Sequence, residues 1–407
     1  MIMEEWKEYK LGDVANVKGG KRLPKGINLT TIANTHPYIR VRDLGTKKIL
    51  ELDSSYEYVD DETQKSISKY IVNSGDIILS IVGTIGLVAV IGTTLDGANL
   101  TENCVKLINV NKIDKEYLYY YLSSDIGKSE IEKGTVGAVQ AKLPIKNIQS
   151  INIKAPAIEL QKRIASILKS LDDKIEVNRR INKNLEQQAQ ALFKSWFVDF
   201  EPFKNQPFVE SELGMIPQGW SIDNIYKYVD VIYGAPYKSS LFNEKKEGLP
   251  LIRIRDLKTN SPQVYTSETL PTTEYIEAGD IVAGMDAEFV PCVWLGERGV
   301  LNQRCCKFKA KDPSISNYYI LFLLKPELEY VQSYKTGTTV SHLGKSDIDR
   351  FRFITPPIDV IIPFSRRVDA LLKEKVAIAQ ESRCLAELRD TLLPRLMSGE
   401  LKVNDVI

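Results

Sequence analysis

The sequence predicts an α+β protein built twice: a mixed α/β domain followed by a long amphipathic helix, then a second copy of both, with the two helices pairing. Three observations carry this reading. An ordered set of sequence blocks recurs about 200 residues later. Each half opens with short runs of β-branched residues punctuated by Gly and Pro. Each half closes in a run whose apolar residues keep three- and four-residue spacing.

The repeat begins where Trp6, Leu11 and Val17 return as Trp220, Ile225 and Val231. Pro37-Tyr-Ile-Arg-Val-Arg-Asp-Leu44 returns as Pro250-Leu-Ile-Arg-Ile-Arg-Asp-Leu257, and Gly75-Asp-Ile-Ile as Gly279-Asp-Ile-Val. Leu143 through Pro156 aligns with Leu343 through Pro356. The offset falls from 214 at the tryptophans to 204 at the Gly-Asp pairs and 200 at the prolines, so the second domain is shorter in its loops. Strands are expected at Tyr38-Ile-Arg-Val-Arg42 and Ile151-Asn-Ile-Lys154, and short helices at Lys115 to Ser123 and Asn317 to Leu324.

After Pro156, the residues Ile164, Leu168, Leu171, Ile175, Asn178, Leu185, Ala189, Leu192 and Trp196 form one helical seam. About forty residues at ~1.5 Å rise span ~57 Å. The second copy runs through Phe364, Val368, Leu371, Ile378, Leu385, Leu392 and Leu396, with Lys375 and Arg389 at seam positions. Asn178 and Asn182 either fix register, as buried asparagines do in coiled coils, or are solvated. The expected organisation is a first domain over 1–157, a helix over 158–200, a linker over 201–215 acting as the hinge, a second domain over 216–357 and a helix over 358–407. Prolines and glycines in the linker forbid helix continuation.

Composition narrows the function. The 407 residues carry 54 Lys+Arg against 53 Asp+Glu, a net charge of +1, whereas a domain devoted to nucleic acid is often strongly basic. Any DNA-binding charge must therefore be gathered on one face. The five cysteines form neither a disulfide framework nor a C-x-x-C metal site, and no apolar run reaches membrane-spanning length. A cytoplasmic protein without membrane contact is expected. Catalytic motifs are missing. Thr355-Pro-Pro-Ile reads as the punctuation before a helix, as Pro156 does in the first half, and not as a methyltransferase loop. Thr339 to Ser346 lacks the first glycine of a phosphate loop, and the two histidines, His36 and His342, are too few for a catalytic or metal cluster. No catalytic residue and no metal site is expected.

Cations beside glycines carry more information. Lys18-Gly-Gly-Lys-Arg-Leu-Pro-Lys25 sets Lys18, Lys21, Arg22 and Lys25 on a loop suited to a phosphate backbone or a groove, and its counterpart holds Tyr237 and Lys238. Arg40 and Arg42 alternate with Ile39 and Val41, as Arg253 and Arg255 do with Ile252 and Ile254, which on a strand places both guanidiniums on one face. Such arginines either read guanine or form ion pairs with Asp43 and Asp256. The loops Gly134 to Lys142 and Gly337 to His342, with Lys345 beyond, offer hydroxyl, backbone and cationic donors, among them Lys142, Thr338 and His342.

With the duplication in view, the chain resembles the specificity subunit of type I restriction-modification systems over essentially its whole length. The resemblance rests on the double unit of domain plus helix, the Gly-Asp-Ile-Ile and Arg-x-Arg-Asp-Leu blocks and the Ala155-Pro-Ala-Ile-Glu-Leu-Gln-Lys-Arg163 start of the first helix. It also rests on the Gly214-Met-Ile-Pro-Gln-Gly-Trp220 restart and the Leu392-Leu-Pro-Arg-Leu-Met-Ser-Gly-Glu-Leu401 ending. It implies two target recognition domains, each reading one half of a split, asymmetric site in double-stranded DNA. The helices are then an antiparallel coiled coil in a pseudo-twofold repeat that sets the distance between the halves. It further implies two modification subunits that methylate adenine with S-adenosylmethionine, and restriction subunits using ATP and Mg, with no cofactor bound by this chain. Ile358-Asp-Val-Ile-Ile-Pro-Phe departs from the polar Glu-Leu-Gln-Lys-Arg pattern, so the two helices are not expected to meet partners equally. The competing reading is a coiled-coil scaffold that organises other proteins without reading DNA.

Overall fold

A computed structural model describes residues 6–45, 47–137, 140–335 and 342–405. The chain divides into two compact units, Met1–Ile175 with Leu385–Ile407, and Glu176–Cys384. Both long helices, Ile158–Phe197 and Ile358–Ser398, pass from one unit into the other.

The first unit holds a five-stranded sheet in the order Asn16–Gly19, Cys104–Ile108, Ile77–Ser80, Val88–Ile91, Ile49–Leu50, antiparallel except for its last pair. A three-stranded sheet of Glu57–Tyr58, Pro37–Ile39 and Asn99–Leu100 accompanies it. The second unit repeats this plan. Val229–Tyr233, Cys305–Ala310, Ile281–Gly284 and Cys292–Val293 form one sheet, and five short strands around Leu249–Ile252 and Gly299–Leu301 form the other.

The repeated blocks are the residues that turn the chain into these strands. Gly75 and Gly279 lie at φ +84° and +102°, where a Cβ is strained. The following Asp76 and Asp280 accept from the amides of Asn73 (2.9 Å) and Glu277 (2.8 Å), closing the turn. Ile77 and Ile78, like Ile281 and Val282, then enter the core fully buried.

The Arg-x-Arg-Asp-Leu block is not the strand expected. The strands end at Ile39 and Ile252, and Val41–Asp43 and Ile254–Leu257 are helical turns. The cause is the aspartate. The carboxylates of Asp43 and Asp256 accept from the amides of Arg40 (2.7 Å) and Arg253 (3.0 Å), which caps a helical turn and ends the pleat. Arg40 with Arg42, and Arg253 with Arg255, therefore do not share a strand face.

The short helix Lys115–Ser123 is present, and Ser124 caps the next, Asp125–Gly134, through the Gly127 amide (3.2 Å). Its counterpart runs unbroken over Asn317–Lys335, longer than expected, because no capping serine interrupts it and Pro326 is carried inside the helix. Residues 201–215 are not a bare hinge. They form a 3₁₀ turn, Glu201–Phe203, and much of the hairpin Phe208–Ser211 with Gly214–Pro217, anchored where Phe203 packs edge-on against Trp220 at 5.1 Å.

In each unit the first long helix pairs with the second. Ile164, Ala165 and Leu168 share a core with Leu392, Leu396 and Met397 in the first, and Phe197 shares one with Phe364 in the second. Polar groups interrupt the apolar seam at set points. Arg389 donates to Asp172 (2.7 Å), which also accepts from the Tyr120 hydroxyl (2.6 Å). Buried Asn178 donates to Glu381 (2.7 Å) and Ser382 (3.2 Å), and Lys375, its side chain 8% exposed, donates to Glu186. Asn178 is thus in the seam and not solvated.

The Glu186–Lys375 pair predicts a measurable asymmetry. Glu186→Ala strands a buried ammonium and is expected to cost about 2–4 kcal/mol, while adding Lys375→Met recovers most of that loss. Urea unfolding of the single and double variants checks this, and equal destabilisation by both would refute it.

Candidate nucleic-acid interface

Each domain builds one rim from four chain segments, and the same backbone contacts assemble it twice. In the first domain the Gly20 amide donates to the carbonyl of Cys104 (3.0 Å) and the Lys21 amide to Leu100 (2.8 Å). The Ile81 amide donates to Asn103 (2.8 Å) and the Leu143 amide to Ile81 (2.9 Å). In the second domain Gly234 donates to Cys305 (3.1 Å), Ala235 to Leu301 (2.9 Å), Met285 to Arg304 (2.8 Å) and Leu343 to Met285 (2.7 Å). Glycine is required where the cationic loops leave the sheet. A Cβ on Gly20 would lie 2.0 Å from the Thr101 carbonyl oxygen, and one on Gly234 would lie 2.1 Å from that of Asn302.

On the first rim Lys18, Lys21, Arg22 and Lys25 are exposed, and Lys142 joins them through bridges to Val136 and Val82. Lys21 stands over the Tyr70 ring at 5.5 Å, and its carbonyl accepts from the Tyr38 hydroxyl (2.7 Å). Arg22 is different: its Nε donates to Glu102 at 2.6 Å, which raises the guanidinium pKa. Burial alone would raise Glu102, but the hydrogen bond from Arg22 holds that carboxyl below its ordinary range.

Arg40 and Arg42 meet around Glu57. Arg40 pairs with it closely and Arg42 at 3.1 Å, with Asp43 3.6 Å from Arg42. Of the two open readings for these arginines, an ion pair is present, with Glu57 as its main acid. Asp43 is nearly enclosed, and burial pushes its carboxyl up to about 6 against the opposing charge of Arg42.

On the second rim the candidates separate. Tyr237 is buried, packed with Ala235, Leu251, Val264 and Val300, and its hydroxyl lies 3.1 Å from Thr273, so it is core and not contact surface. Pro236 and the Ala235 turn direct that ring inward while neighbouring Lys238 stays exposed. Arg253 is half-buried against Asp256 at 3.2 Å; Arg255 and Lys345 are exposed. His342 is exposed, with Nδ1 2.7 Å from Asp286. Thr338 and the rest of 336–341 lie outside the described residues, as do Ala138 and Val139 of the first domain's loop.

Sequence inspection passed over Arg304, Asp286 and Glu102. Arg304 pairs with Asp286, whose carboxyl burial would raise; hydrogen bonds from His342 and Arg304 hold it below its usual value. The signal was available in the repeat: Leu100 to Cys104 matches Leu301 to Cys305, so Glu102 and Arg304 belong to the same turn. Among the described residues no group of His, Cys, Asp or Glu is arranged to hold a metal, and no helix is long and apolar enough to cross a membrane.

Two copies of one α/β domain, each with a polar, cation-bearing rim and each followed by a long helix, define a tandem recognition protein. Residues 3–187 and 229–375 match the type I restriction modification DNA specificity domain, and the chain belongs to that family as a specificity subunit. It is 27% identical to the specificity subunit of the type I restriction enzyme MjaIX of Methanocaldococcus jannaschii, with 100% of this chain and 95% of that one covered. It is 25% identical to the HindI specificity subunit of Haemophilus influenzae, covering 98% and 100%. The crystal structure of a type I S subunit from M. genitalium shares the fold at TM-score 0.52 and 15% identity over 97% of each chain. The scaffold reading is not favoured.

The buried Asp43 gives a pH signature. Its folded pKa of about 6 lies above the ordinary 3.8, so the folded state binds the proton more tightly. The resulting stability is fully present below about pH 4 and is lost as pH rises through 6. Asp43→Asn should flatten that slope, removing a difference on the order of 2–3 kcal/mol between pH 4 and 7. Denaturation midpoints of both proteins across this range check it; parallel pH profiles would count against a buried, raised carboxyl.

Proposed function

We propose that this chain is the non-catalytic reader of its complex, with each rim contacting one half of a bipartite, asymmetric DNA sequence. The observation that carries this reading is the rim built twice from the same backbone contacts but with different side chains, Lys21, Arg22 and Lys142 on one and Lys238, Arg304 and His342 on the other. Equal scaffolds with unequal faces read unequal half-sequences. The partners are two modification subunits that methylate adenine with S-adenosylmethionine, and restriction subunits that use ATP and Mg. This chain binds none of those cofactors, and the complex works in the cytoplasm.

The lysines divide from the arginines by charge balance. Among the described residues Lys18, Lys21, Lys25 and Lys142 meet no carboxylate, so each can neutralise a phosphate and release a counterion. The long helices set the spacer between the half-sequences, since each passes from one compact unit into the other.

Two measurements test this. Lys21→Ala with Lys25→Ala should weaken binding to every sequence alike and reduce the slope of log K against log salt by roughly 2. Titration of the assembled complex on specific and unrelated duplexes reads that slope, and an unchanged slope removes these lysines from the interface. Seven residues inserted after Leu185 and another seven after Lys375, the residue that faces Glu186, keep the seam phase and the polar pairs and lengthen each helix by about 10 Å. Methylation mapping should then show one to three added spacer pairs, at ~3.4 Å per pair, with both half-sequences unchanged. An unaltered spacer would mean that the helices hold partners without measuring DNA.

A further inference from the structure

We propose that Arg22 and Arg304, each held by a carboxylate on its rim, are the base-reading arginines of the two domains, and that Glu102 and Asp286 are their positioning residues. This rests on the DNA-reading role proposed above.

The two pairs share one element of the duplicated scaffold, the turn that ends at Cys104 and at Cys305, and each is completed from a different neighbouring segment. In the first domain the turn Thr101 to Cys104 supplies the acid, Glu102, and the loop after Gly20 supplies the arginine. In the second domain the matching turn, Asn302 to Cys305, supplies the arginine, and the segment after Gly284 supplies the acid, Asp286. Each arginine is open to solvent, with 80% and 66% of its side chain exposed, whereas each acid is largely covered, at 30% and 23%. A covered anchor with an exposed guanidinium aims donors outward.

The anchors are fixed from behind. Asp286 gives one oxygen to Arg304 and the other to His342 at 2.7 Å, and it bridges to the His342 backbone. Ala287 beside it is held at φ +61°, a left-handed conformation that a tight turn imposes, and a Cβ on Gly284 would collide with the Glu288 carbonyl at 2.3 Å. Glu102 is held by the Thr101 hydroxyl (3.1 Å) as well as by Arg22.

Charge decides between base and phosphate. A guanidinium beside a carboxylate is close to neutral as a pair, and the carboxylate repels a phosphate brought to the same spot, so counterion release is small. The fork keeps its hydrogen-bond geometry, and bidentate donation to guanine O6 and N7 needs geometry more than net charge. Holding an otherwise mobile arginine also removes part of the ordering cost of binding.

The test uses the chain assembled with its modification subunits, followed by mapping of methylated adenines for wild type, Arg304→Gln, Arg304→Lys, Asp286→Asn and Arg22→Gln. Arg304→Gln should relax one position in one half-sequence by roughly 5- to 100-fold in discrimination, and Arg22→Gln one position in the other half. Arg304→Lys keeps the charge but loses the fork, and should relax the same position. Asp286→Asn should relax that position by less, a change that simple destabilisation would not produce, since misfolding lowers methylation at all sites evenly. Retained motifs in Arg304→Gln and Arg22→Gln, or an even loss at every site from a folded complex, would overturn the assignment while leaving the reading role intact. Absence of any sequence-specific methylation by wild-type complex would overturn that role itself.

Discussion

The register of the two long helices is fixed by a few polar side chains inside an apolar seam. Burying an amide or an ammonium is costly unless it finds a partner, and only one alignment supplies them. Asn178 needs Glu381 and Ser382, Lys375 needs Glu186, and Arg389 needs Asp172. A slip by one heptad would leave Lys375 in the seam with no acid. Apolar contacts alone would tolerate that slip, because Leu and Ile positions repeat along both helices. Register then fixes where each domain is fastened. In the first unit, Gln161 at the helix start accepts from the Asp114 amide (2.8 Å) and donates to the Pro156 carbonyl (2.8 Å), and in the second, Ser365 accepts from the Ser316 amide (2.9 Å). Gln161 belongs to the polar Glu-Leu-Gln-Lys-Arg run that Ile358-Asp-Val-Ile-Ile-Pro-Phe lacks, so that departure is a change of fastening as well as of surface.

The fastenings differ in kind. The first domain adds to its apolar contact with the helices a polar network in which the Tyr120 hydroxyl donates to Asp172 (2.6 Å) and Lys48 touches Glu116 and donates to that hydroxyl (3.0 Å), beside a cleft of about 500 Å³. The second is fastened by aromatic rings, with Phe193, Phe197, Tyr319 and Phe364 in mutual contact at 4.8–6.2 Å. The two copies therefore share a backbone plan without sharing its energetics.

How much of this could be read from the sequence depends on whether a residue acts locally or across the fold. Long helices declare themselves, because nine turns of seam spacing have no other explanation. Arg40 and Arg253 misled because alternation of apolar and charged residues is the signature of a strand, and one carboxylate three residues on was enough to override it. Tyr237 misled because an aromatic beside glycine and lysine looks like contact surface, and only the fold shows it filling a core with Leu251 and Val300. Arg304 was missed because it stands alone in sequence; its partner Asp286 arrives from the segment after Gly284. Lys375 and Arg389 were visible as charges in a seam, but the acids that make them tolerable come from the antiparallel partner.

The near-neutral charge of the chain, at first an argument against a DNA reader, is compatible with this arrangement. Arg22, Arg40, Arg42, Arg253 and Arg304 all sit against carboxylates, so much of the rims' guanidinium charge is cancelled within the chain. Charge held in this way gives little to non-specific attraction, which scales with the number of phosphates neutralised. It gives direction to hydrogen-bond donors, which is what discrimination between bases requires. On the proposed assignment, a reader built so separates the two tasks that a basic patch merges: unpaired lysines beside the glycine of each loop would set affinity, and the buttressed Arg22 and Arg304 would set preference. Because the anchors are single side chains on loops, exchanging one pair would, on that assignment, change what is read while the Gly-Asp turns, the capped Arg-x-Arg-Asp turns and the helix register stay as they are.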